Sequence, residues 1–600
     1  MKKPWILHYD PDMKESLTYP DKTLYEMLAR TEDNFPHTPA ISFEGQKISF
    51  RTLLFQVDAA ALALTDLGLR RGDVATICLP NIPQAVVFFY AVNKIGVIAN
   101  MVHPKTPPLE LRDFMTSTQS EYLIILDAFL PKHLKMLAEI PVKYVFTAAI
   151  GDYLSAAKTL GFYITKGRKI PKIPASKKFM SWRDLQKAGL SARYASESLA
   201  SSFHYVRPLE PGAPAVYLHS GGTTGTPKTI VLSSLNMNVL AVQGPQIVNI
   251  PDPFETGAAP QVSMVTILPL FHGFGLCMGM HTMMCNAITS ILVPQFEPNS
   301  LAKVIMKERP AFIAAVPTLY EGILKSTLLN KADLSFLRCC FCGGDSLSPD
   351  LKERFEAFIH ERGAQISLRE GYGLTETVTV CCVNPEIKCR KESVGLPLPD
   401  MHMKIVEQST HIETAFGKHG EICVTGPTVM LGYLGDPEGT AEAIHQHDDG
   451  RMWVHTGDYG YMDEDGYFHF TQRLKRIIKV SGIPVFPSQI EAVISHVPGV
   501  DSVCAIAVPD PYRIHVVKVI VVASGLRSEV HLSKIKQDIL TACADRLIPY
   551  ACPAMIEFRD QLPHTLVGKI DYIALEKEES ERIGINMYYD GSKTKSTGKV

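Results

Sequence analysis

A nine-residue segment at 220–228, with the sequence SGGTTGTPK, contains the residue types needed to surround an anion. Its glycines free backbone N–H groups to converge on a bound group, its hydroxyls add donors that rotate, and Lys228 adds a full positive charge. The apolar run 215–218 before it predicts a buried strand. The alternative is a solvated turn between two strands, because glycine, serine and threonine are common turn residues.

The segment departs from the P-loop of kinases and ATPases. That motif reads G-x-x-x-x-G-K-[ST], whereas residues 222–229 read GTTGTPKT and place Pro227 where the motif has glycine. Proline has no backbone N–H and fixes φ, so a tight anion nest should not form there. A P-loop NTPase is therefore disfavoured.

The elements that must position this segment alternate between helix and strand patterns, which predicts βαβ units and a parallel sheet. Ligands of such sheets bind beyond the carboxyl ends of the strands. The predicted helices are 24–35, 51–69, 84–95 and 109–118, the predicted strands are 74–79, 97–102 and 122–127, and 41–50 is a predicted hairpin.

Four later apolar runs each end in a polar, glycine-rich or proline-containing turn, and together they would build one site at one sheet edge. They are 264–270 before PLFHGFG, 311–316 before PTLY, and the segments LRCCFCGGDSL and ISLREGYGLTET. After Gly395, short strand patterns at 404–406, 420–425 and 467–470 predict a barrel-like unit. A small α+β region should follow, with helices 488–496 and 532–545 and strands 503–508, 516–522 and 555–558.

Composition indicates small-molecule chemistry. Six hundred residues predict about three to five structural units, and a net charge of -2 with 20% charged residues disfavours a nucleic-acid binder. Thirteen cysteines, mostly in apolar runs, and no secretory leader predict a reduced, cytoplasmic compartment. The CxxC formed by Cys339 and Cys342 lies in a predicted strand without a second pair, so no zinc site is expected. No apolar run reaches the length of a membrane span.

Between residues 158 and 178 the helix and strand pattern lapses and basic residues accumulate. Basic charge beside aromatic residues could contact an anionic membrane surface; the alternative is a solvated connector. The basic residues are Lys158, Lys166, Arg168, Lys169, Lys172, Lys177 and Lys178.

Five motifs in order resemble those of the adenylate-forming acyl-CoA synthetases, and the resemblance covers nearly the whole chain. They are SGGTTGTPK, EGYGLTET at 370–377, HTGD at 455–458, QRLKRIIKVSG at 472–482 and LPHTLVGKI at 562–570. The amino-terminal text is most similar to bacterial long-chain fatty acid–CoA ligases. The resemblance implies an α/β fold: a large N-terminal domain (1–474) of αβα parallel-sheet subdomains plus a β-barrel-like subdomain, a small mobile α+β domain (475–585) and a flexible tail (586–600).

In that family a carboxylate attacks the α-phosphate of ATP, and coenzyme A then converts the acyl-AMP into a thioester. Because two anions must approach each other, donors, a cation and Mg²⁺ are needed where charge builds up. The resemblance implies that Thr375 donates to the α-phosphate, that Glu376 and Thr224 hold Mg²⁺, that Tyr372 stacks on adenine, and that Asp458 and Arg473 bind the ribose. The remaining implied ATP or AMP ligands are Ser220, Gly221, Gly222, Thr223, Gly225, Lys228, Gly343, Gly344, Asp345, Glu370, Gly371 and Gly373.

The carboxy-terminal motifs imply roles in the change between the two half-reactions. Lys569 would reach the substrate carboxylate and the α-phosphate during adenylation; the alternative for such a lysine is solvated surface charge. Lys475 would be the hinge, and Lys479, Ser481 and Gly482 would line the coenzyme A tunnel.

The implied acyl pocket contains His272, also a catalytic candidate beside the acyl carbonyl, with Gly273, Phe274, Val316 and Gly371. Methionines 278, 280, 283 and 284 could line an adaptable pocket, but a methionine stripe more often forms plain core. The chain departs from the usual family text at Thr229, Ser234, Gln472, Ile514 and His515, which leaves substrate range and rate open.

We therefore predict an ATP-dependent, Mg²⁺-requiring fatty acid–CoA ligase for a medium- or long-chain acid, cytoplasmic or peripherally membrane-associated, and monomeric or homodimeric. Alternatives are transfer of the acyl group to a carrier protein, an aryl or bile-type acid substrate, a non-catalytic nucleotide-binding homologue, and an oxygenase like the luciferases. No nucleic-acid partner is expected.

Overall fold

The computed structural model describes residues 3–165, 167, 170, 173–174, 176–197, 210–220, 228–407, 410–481, 483–510, 513–525, 528–565 and 569–583. The described residues pack as two compact units. The first unit is Met1–Thr456 with Gly460–Phe470, and the second unit is Gly457–Tyr459 with Thr471–Val600. The predicted α/β class, with parallel sheets and a separate carboxy-terminal α+β region, is confirmed.

Helices and strands alternate through the first third of the chain, as the sequence predicts. Their bounds are α1 Leu24–Asn34, β1 Pro39–Phe43, β2 Gln46–Ser49, α2 Phe50–Asp66, β3 Val74–Cys78, α3 Pro83–Lys94, β4 Ile98–Met101, α4 Pro108–Ser117, β5 Tyr122–Leu126, α5 Leu130–Glu139, β6 Tyr144–Ala148, α6 Ala156–Thr165, β7 Phe179–Ser181 and α7 Trp182–Glu197. Thr23 caps α1 by accepting from the backbone N–H of Glu26, whose carboxylate accepts from Thr23 in return.

The second part of the first unit contains the strands that precede the predicted site loops. Its elements are β8 Pro214–His219, β9 Thr229–Ser233, α8 Ser234–Ile247, α9 Pro253–Thr256, β10 Ser263–Thr266, α10 Thr282–Cys285, β11 Thr289–Leu292, α11 Pro298–Glu308, β12 Phe312–Ala315, α12 Pro317–Leu324, β13 Cys339–Cys342, α13 Pro349–His360, β14 Leu368–Tyr372, β15 Cys382–Val383 and β16 Leu396–Pro397. A π-helix at Phe274–His281 precedes α10.

The rest of the chain is richer in strands, as predicted. Its elements are β17 His402–Val406, β18 Gly420–Thr425, β19 Gly432–Tyr433, α14 Pro437–Ala443, β20 Ile444–Gln446, β21 Met452–Met462, β22 Phe468–Arg473, β23 Ile478–Val480, β24 Ile483–Val485, α15 Pro487–Ser495, β25 Val500–Asp510, β26 Ile514–Ala523, α16 Glu529–Arg546, β27 Met555–Arg559 and α17 Tyr572–Ile583.

One sheet of the first unit brings the four predicted site strands together. Its order is β16-β15-β14-β13-β12-β10-β11-β1-β2, and β14, β13, β12 and β10 are successive parallel neighbours. Their carboxyl ends therefore lie along the same edge, which confirms the prediction of a common sheet edge; that their loops form one site stays a prediction.

A second sheet contains the strand before the 220–228 segment. Its order is β19-β9-β8-β4-β3-β5-β6-β7. β8 runs parallel to β4. It runs antiparallel to β9, with Leu218 opposite Ile230. The 220–228 segment thus connects two antiparallel strands, as a solvated turn between two strands would. This connection is equally compatible with anion binding by the segment.

Buried apolar side chains pack the layers of the first unit. Every residue of α3 except Lys94 is buried, including Phe88, Phe89 and Tyr90. A helix buried on all sides matches the nearly continuous apolar text of this segment. Within the described residues, no helix is long and apolar enough to cross a membrane.

The beginning of the segment from 158 to 178 is helical, which the sequence did not predict, because α6 extends through Thr165. Lys158 pairs with Glu44, with Nζ to Oε2 at 2.6 Å, and Nζ of Lys178 donates to the backbone carbonyl of Leu137 at 2.6 Å. Lys158 and Lys178 therefore both bind groups of the protein itself. Lys166, Arg168, Lys169 and Lys172 lie outside the described residues.

The β-rich region forms an antiparallel sheet in the order β17-β18-β21-β20, with β22 on β21.

In the second unit, β25 pairs antiparallel with β26 and β26 pairs parallel with β27. Ile490, Val519 and Ile535 are among its buried core residues. Every element predicted for this region is present with bounds close to those expected.

Candidate active site

The two ends of the 220–228 segment are joined by a pair of hydrogen bonds. The backbone N–H of Ser220 donates to the carbonyl of Lys228 at 2.9 Å, and the N–H of Lys228 donates to Oγ of Ser220 at 3.0 Å. Ser220 therefore closes the loop rather than only offering a hydroxyl. Gly221, Gly222, Thr223, Thr224 and Gly225 lie outside the described residues.

Lys228 is held by groups from the segment that follows β18. Its Nζ is 3.4 Å from Oδ2 of Asp436 and 4.4 Å from the ring centroid of Tyr433. Asp436 also accepts from the backbone N–H of Gly439 at 2.8 Å, and its pKa is lowered first by that bond and further by Lys228. The lysine is thus positioned before any anion binds.

Tyr433 joins this lysine to the acidic residue of the EGYGLTET motif. Its phenol donates to Oε1 of Glu376 at 2.9 Å, while the Glu376 carbonyl accepts from the N–H of Met430 at 2.8 Å. Tyr433 lies on β19, which pairs with β9, the strand that directly follows the 220–228 segment. The two predicted phosphate-side groups are therefore two ends of one contact chain, Lys228–Tyr433–Glu376.

Thr375 and Glu376 lie in a single 3-10 turn, Thr375–Thr377, immediately after β14. Val378 after it has φ of 66°, in the left-handed region that is strained for a β-branched residue. The backbone is also tightly packed around Gly373, where a Cβ would lie 1.5 Å from the carbonyl oxygen of Thr379. The motif glycine is thus required by close backbone approach.

The Glu370 side chain, predicted to border the nucleotide, is engaged by two groups of the protein. Its carboxylate is 3.2 Å from Nζ of Lys352 and accepts from Nδ2 of Asn384 at 3.0 Å. Burial raises the pKa of Glu370 against the opposing effect of Lys352. The pair is largely shielded from solvent and hydrogen-bonded, so it ties the end of β14 to α13.

Tyr372 is buried at the end of β14, and its ring lies 6.2 Å from that of Phe470. Asp345, after β13, is exposed, and its carboxylate accepts from the backbone N–H of Ser346 at 2.9 Å. Both residues follow adjacent parallel strands. They therefore lie at the site edge, Tyr372 in the packed part and Asp345 at the surface.

The predicted acyl-pocket residues are brought together. A Cβ on Gly343 would lie 3.1 Å from the carbonyl oxygen of Gly371 and 3.3 Å from the ring of Phe274, and one on Gly344 would lie 3.4 Å from Val316. Gly344 has φ of 82°, which favours glycine. Small residues here allow the neighbouring strand ends and Phe274 to approach each other closely.

His272 and Gly273 precede the π-helix Phe274–His281, a helix type that occurs often at functional sites. Nδ1 of His272 accepts from the N–H of Phe274 at 3.2 Å. A Cβ on Gly273 would lie 1.8 Å from the carbonyl oxygen of Val378, so this helix packs directly on the Thr375–Thr377 turn. Met280, Met283 and Met284 are buried, which confirms the core alternative for them.

In the second unit, Asp458 and Arg473 form an ion pair. Nε of Arg473 is 2.9 Å from Oδ1 of Asp458, whose side chain is only 2% exposed, whereas that of Arg473 is 48% exposed. A buried carboxylate beside a rigid guanidinium is suited to bind vicinal hydroxyls. The two residues predicted to share a ligand are thus adjacent.

Lys475, the predicted hinge, is exposed in a 3-10 turn, Leu474–Arg476. The next residue, Arg476, is fixed by a bidentate pair with Glu491 and lies 4.8 Å from the ring centroid of Tyr572. Lys475 is therefore a solvent-facing residue directly before an anchored one, and its role as a hinge stays a prediction.

The predicted coenzyme A segment includes the β23–β24 hairpin. Lys479 and Ser481 are exposed, and Ser481 has φ of 51° and donates its N–H to the carbonyl of Arg513 at 2.7 Å. Gly482 lies outside the described residues.

The backbone of Lys569 makes the same two types of hydrogen bond as the backbone of Lys228. The N–H of Thr565 donates to the Lys569 carbonyl at 2.7 Å, and the N–H of Lys569 donates to Oγ1 of Thr565 at 3.2 Å. His564 and Ile570 form an antiparallel bridge beside them. Each lysine thus stands at the closed end of a short loop begun by a hydroxyl residue.

The departures from family text have structural roles. Oγ1 of Thr229 is 3.2 Å from Nδ1 of His219, whose pKa is lowered by burial to about 4. Ser234 begins α8, Gln472 is buried near Ser488, and Ile514 and His515 begin β26. None of them replaces a predicted catalytic group.

Sequence reasoning missed Tyr433 and Asp436. They belong to the turn-rich text LGYLGDPEG, which follows β18 without a distinctive pattern. A glycine–tyrosine pair and an aspartate before proline are ordinary turn signals, so only the pairing of β19 with β9 could reveal them.

Comparisons with known proteins identify relatives along nearly the whole chain. A family model described as AMP-binding enzyme matches residues 28–434, and one described as AMP-binding enzyme C-terminal domain matches residues 489–569. A protein of Bacillus subtilis (strain 168) named long-chain-fatty-acid–CoA ligase is 32% identical over 97% of this chain and 99% of its own length. A protein of Escherichia coli O157:H7 with the same name is 32% identical over 95% and 97%.

Solved structures share the fold. An anthranilate CoA ligase in complex with anthranoyl-AMP has a TM-score of 0.79 at 20% identity, covering 96% of this chain and 100% of that one. ATP-bound MatB from Rhodopseudomonas palustris has a TM-score of 0.76 at 23% identity, covering 93% and 100%. At these identities the likeness supports the architecture alone.

Proposed function

The chain belongs to the family of AMP-binding enzymes, and we propose that it is an ATP-dependent fatty acid–CoA ligase. It forms acyl-AMP and pyrophosphate from a medium- or long-chain fatty acid, and then acyl-CoA and AMP. The substrate class is supported by relatives named long-chain-fatty-acid–CoA ligase at 32% identity.

The contact chain Lys228–Tyr433–Glu376 is the single observation on which the proposal depends most. It links a cation at the end of a hydroxyl-rich loop to a carboxylate beside Thr375. ATP brings both needs together, because its β- and γ-phosphates require a cation and its metal ion requires a carboxylate. In the proposal Lys228 holds the departing pyrophosphate and Thr375 donates to the α-phosphate.

Mg²⁺ is part of the proposal, and the described residues fit it. Carboxylate oxygen is the donor that Mg²⁺ prefers, and the Tyr433 phenol fixes one oxygen of Glu376. The ion, when bound, neutralises phosphate charge. Glu376 would hold it together with Thr224, Lys228 would hold the phosphates, and Lys569 would bind the substrate carboxylate and the α-phosphate.

The other ligand contacts are part of the same proposal. Asp458 and Arg473 would bind the ribose, Tyr372 would stack on adenine, and the motif backbone from Glu370 to Gly373 would border the nucleotide. The acyl chain would lie beside Gly343, Gly371 and Phe274, since the atoms nearest to a Cβ on Gly343 or Gly371 are backbone and apolar side-chain atoms.

The domain division stays a proposal: 1–474 for the ATP and acyl sites, 475–585 for Lys569 and the coenzyme A face, and 586–600 as a tail. The exposed hinge residue Lys475 beside the anchored Arg476 supports a boundary there. Cytoplasmic location, peripheral membrane contact through residues 158–178 and oligomeric state also stay predictions. Liposome co-sedimentation at low and high salt tests the membrane contact, and absence of binding at low salt would refute it.

The decisive experiment measures AMP formation across a panel of fatty, aromatic and bile-type acids, with and without coenzyme A. The proposal expects AMP release that depends on a medium- or long-chain acid and on coenzyme A. Release with aromatic acids only would contradict the substrate class. Acyl-AMP formation without thioester formation would indicate a carrier-protein loader, and absence of pyrophosphate exchange with every acid would indicate a non-catalytic homologue.

A further inference from the structure

Four histidines cluster on the β-rich sheet of the first unit, and no predicted step of the reaction uses them. His411 lies in the connection between β17 and β18, His445 and His447 lie in and just after β20, and His455 lies on β21. One ligand atom from each of His411, His447 and His455 lies within 4.8 Å of the others. Among the described residues, this is the one such group of three metal-ligating side chains.

The imidazole nitrogens of this cluster approach each other in two pairs, and the rings of His411 and His447 are stacked with their centroids 4.3 Å apart. Nε2 of His447 is 2.9 Å from Nε2 of His455, and Nε2 of His411 is 3.2 Å from Nδ1 of His445. Nitrogen ligands bound to one tetrahedral ion at about 2.0–2.1 Å lie about 3.3 Å apart. The separations are therefore already close to those of a metal site, and rotation of the exposed His411 side chain would complete the approach.

The hydrogen bonds of His455 resemble those of a histidine ligand. Its Nδ1 is 2.9 Å from Oε2 of Glu421, and a carboxylate that accepts from one ring nitrogen fixes the other as a lone-pair donor. That other nitrogen, Nε2, points at His447. Glu421 would thus orient the ligand and supply negative charge.

His447 has an unmatched nitrogen. It is only 4% exposed, and its Nδ1 has no hydrogen-bond partner among the described residues. If Nε2–H donates to His455, Nδ1 presents a buried lone pair without a donor, which costs free energy. An ion bound at Nδ1 would take this lone pair directly, whereas an ion bound at Nε2 would leave Nδ1 protonated and still without a partner in the described part of the chain.

The charges around the cluster are mixed. The ammonium of Lys404 lies 4.2 Å from the ring centroid of Trp453, on which the ring of His447 is stacked. Two carboxylates offset it: Glu421 on His455, and Asp449, which accepts from Nε1 of Trp453 at 3.0 Å. A divalent cation bound at this cluster would therefore have two carboxylates and one ammonium group nearby.

We propose that His411, His447 and His455, with His445 beside them, bind one Zn²⁺ ion. Imidazole is a preferred ligand of this ion, and the exposed His411 provides the entry side. Bound metal would tie the connection between β17 and β18 to β20 and β21, and so stabilise this sheet in proportion to ion concentration. The site is independent of the proposed ligase reaction.

The test is Zn²⁺ titration of the full chain, freed of affinity tags and treated with chelator, by calorimetry and by thermal melting. We expect one ion per chain with micromolar or tighter affinity, and a melting temperature that rises with Zn²⁺. His411→Ala should weaken binding at least tenfold and abolish the rise; its exposed position makes loss of folding an unimportant risk. His37→Ala, an exposed histidine before β1, is the matched control and should bind like the unmodified chain.

A second measurement distinguishes histidine ligands from the chain's free cysteines. Co²⁺ should give a visible absorption typical of nitrogen coordination, and His455→Ala should remove it. A thiolate-to-cobalt charge-transfer band would overturn the proposal, because it would place the ion on cysteine. Absence of stoichiometric Zn²⁺ binding, or equal affinity in His411→Ala, would also overturn it.

Discussion

The phenol of Tyr433 donates a hydrogen bond to Oε1 of Glu376 at 2.9 Å while the face of the same ring lies against the ammonium of Lys228. One side chain therefore fixes both a cation and a carboxylate that sequence motifs 148 positions apart, at 228 and 376, predict for the phosphate side of the site. Their relative position should depend on this tyrosine.

Tyr433→Phe keeps the ring against Lys228 but removes the bond to Glu376. A hydrogen bond to a charged group contributes about 1.5–3 kcal/mol, so we expect the rate of ATP–pyrophosphate exchange to fall about tenfold and the Mg²⁺ requirement to rise. Tyr550→Phe, at an exposed tyrosine of the second unit, is the control. An unchanged Mg²⁺ dependence would show that the phenol does not position the metal ligand.

Lys228→Ala should slow adenylation more than thioester formation, because its proposed task is to hold the β- and γ-phosphates that leave in the first step. The measurement compares pyrophosphate exchange with acyl-CoA formation from supplied acyl-AMP. The loss also leaves Asp436 without its cation, so Lys228→Arg is a useful second variant. A defect confined to the coenzyme A step would contradict the assignment.

Lys569→Ala should abolish pyrophosphate exchange and spare thioester formation from acyl-AMP. The side chain follows a loop closed by Thr565, so its removal should not disturb the backbone of that loop. Lys577→Ala, on the exposed side of α17, is the matched control. Equal loss of both half-reactions would argue against a role in adenylation alone.

Gly373→Ala should disrupt the Thr375–Thr377 turn, because its Cβ would meet the carbonyl oxygen of Thr379 at 1.5 Å. Backbone atoms cannot yield as a side chain can, so we expect destabilisation of several kcal/mol or a misplaced turn with little activity. Gly161→Ala is the control, since no atom lies within 4 Å of the added carbon and the residue is helical. Melting temperature and pyrophosphate exchange are the readouts.

Protonation linked to the buried His133 side chain should lower the free energy of unfolding of the first unit in mild acid. The residue is fully buried and neither ring nitrogen has a hydrogen-bond partner among the described residues, and burial lowers its pKa to about 4. The unfolded chain, with a pKa near 6.5, binds the proton first, so stability is present above about pH 6.5 and is lost as pH falls toward 4.

The matched variant is His133→Leu, which removes the titrating group and keeps an apolar neighbour for the cluster around α5. We expect the fall in melting temperature between pH 7 and pH 5 to be smaller in the variant, corresponding to about 1–2 kcal/mol. Parallel curves for the two proteins would show that His133 does not contribute to the acid sensitivity. His360→Leu, at an exposed histidine, should follow the unmodified protein.

Local pattern was sufficient for much of the fold. The bounds of α1, β3 and β18 follow from apolar periodicity and end signals carried by neighbouring residues, such as Thr23 and Glu26 at the start of α1. The repeated passage from an apolar run to a polar turn also predicted that four strands end at one sheet edge, whereas their order was decided by the structure. The departure at α6 arose because this helix has one charged residue, Lys158, and exposes Leu160 and Ile164, so its sequence lacks the amphipathic pattern that indicates a surface helix.

The sequence by itself determined which residue types are present at the site and in which order, since a motif fixes the chemistry and spacing of groups within one loop. It thereby predicted Lys228, Thr375, Glu376, Asp458 and Lys569. Only the tertiary structure decided which groups meet: that Tyr433 joins Lys228 to Glu376, that Lys352 neutralises Glu370, and that four histidines from three segments converge. These contacts depend on strand pairing between distant segments, and no local pattern specifies which strands will pair.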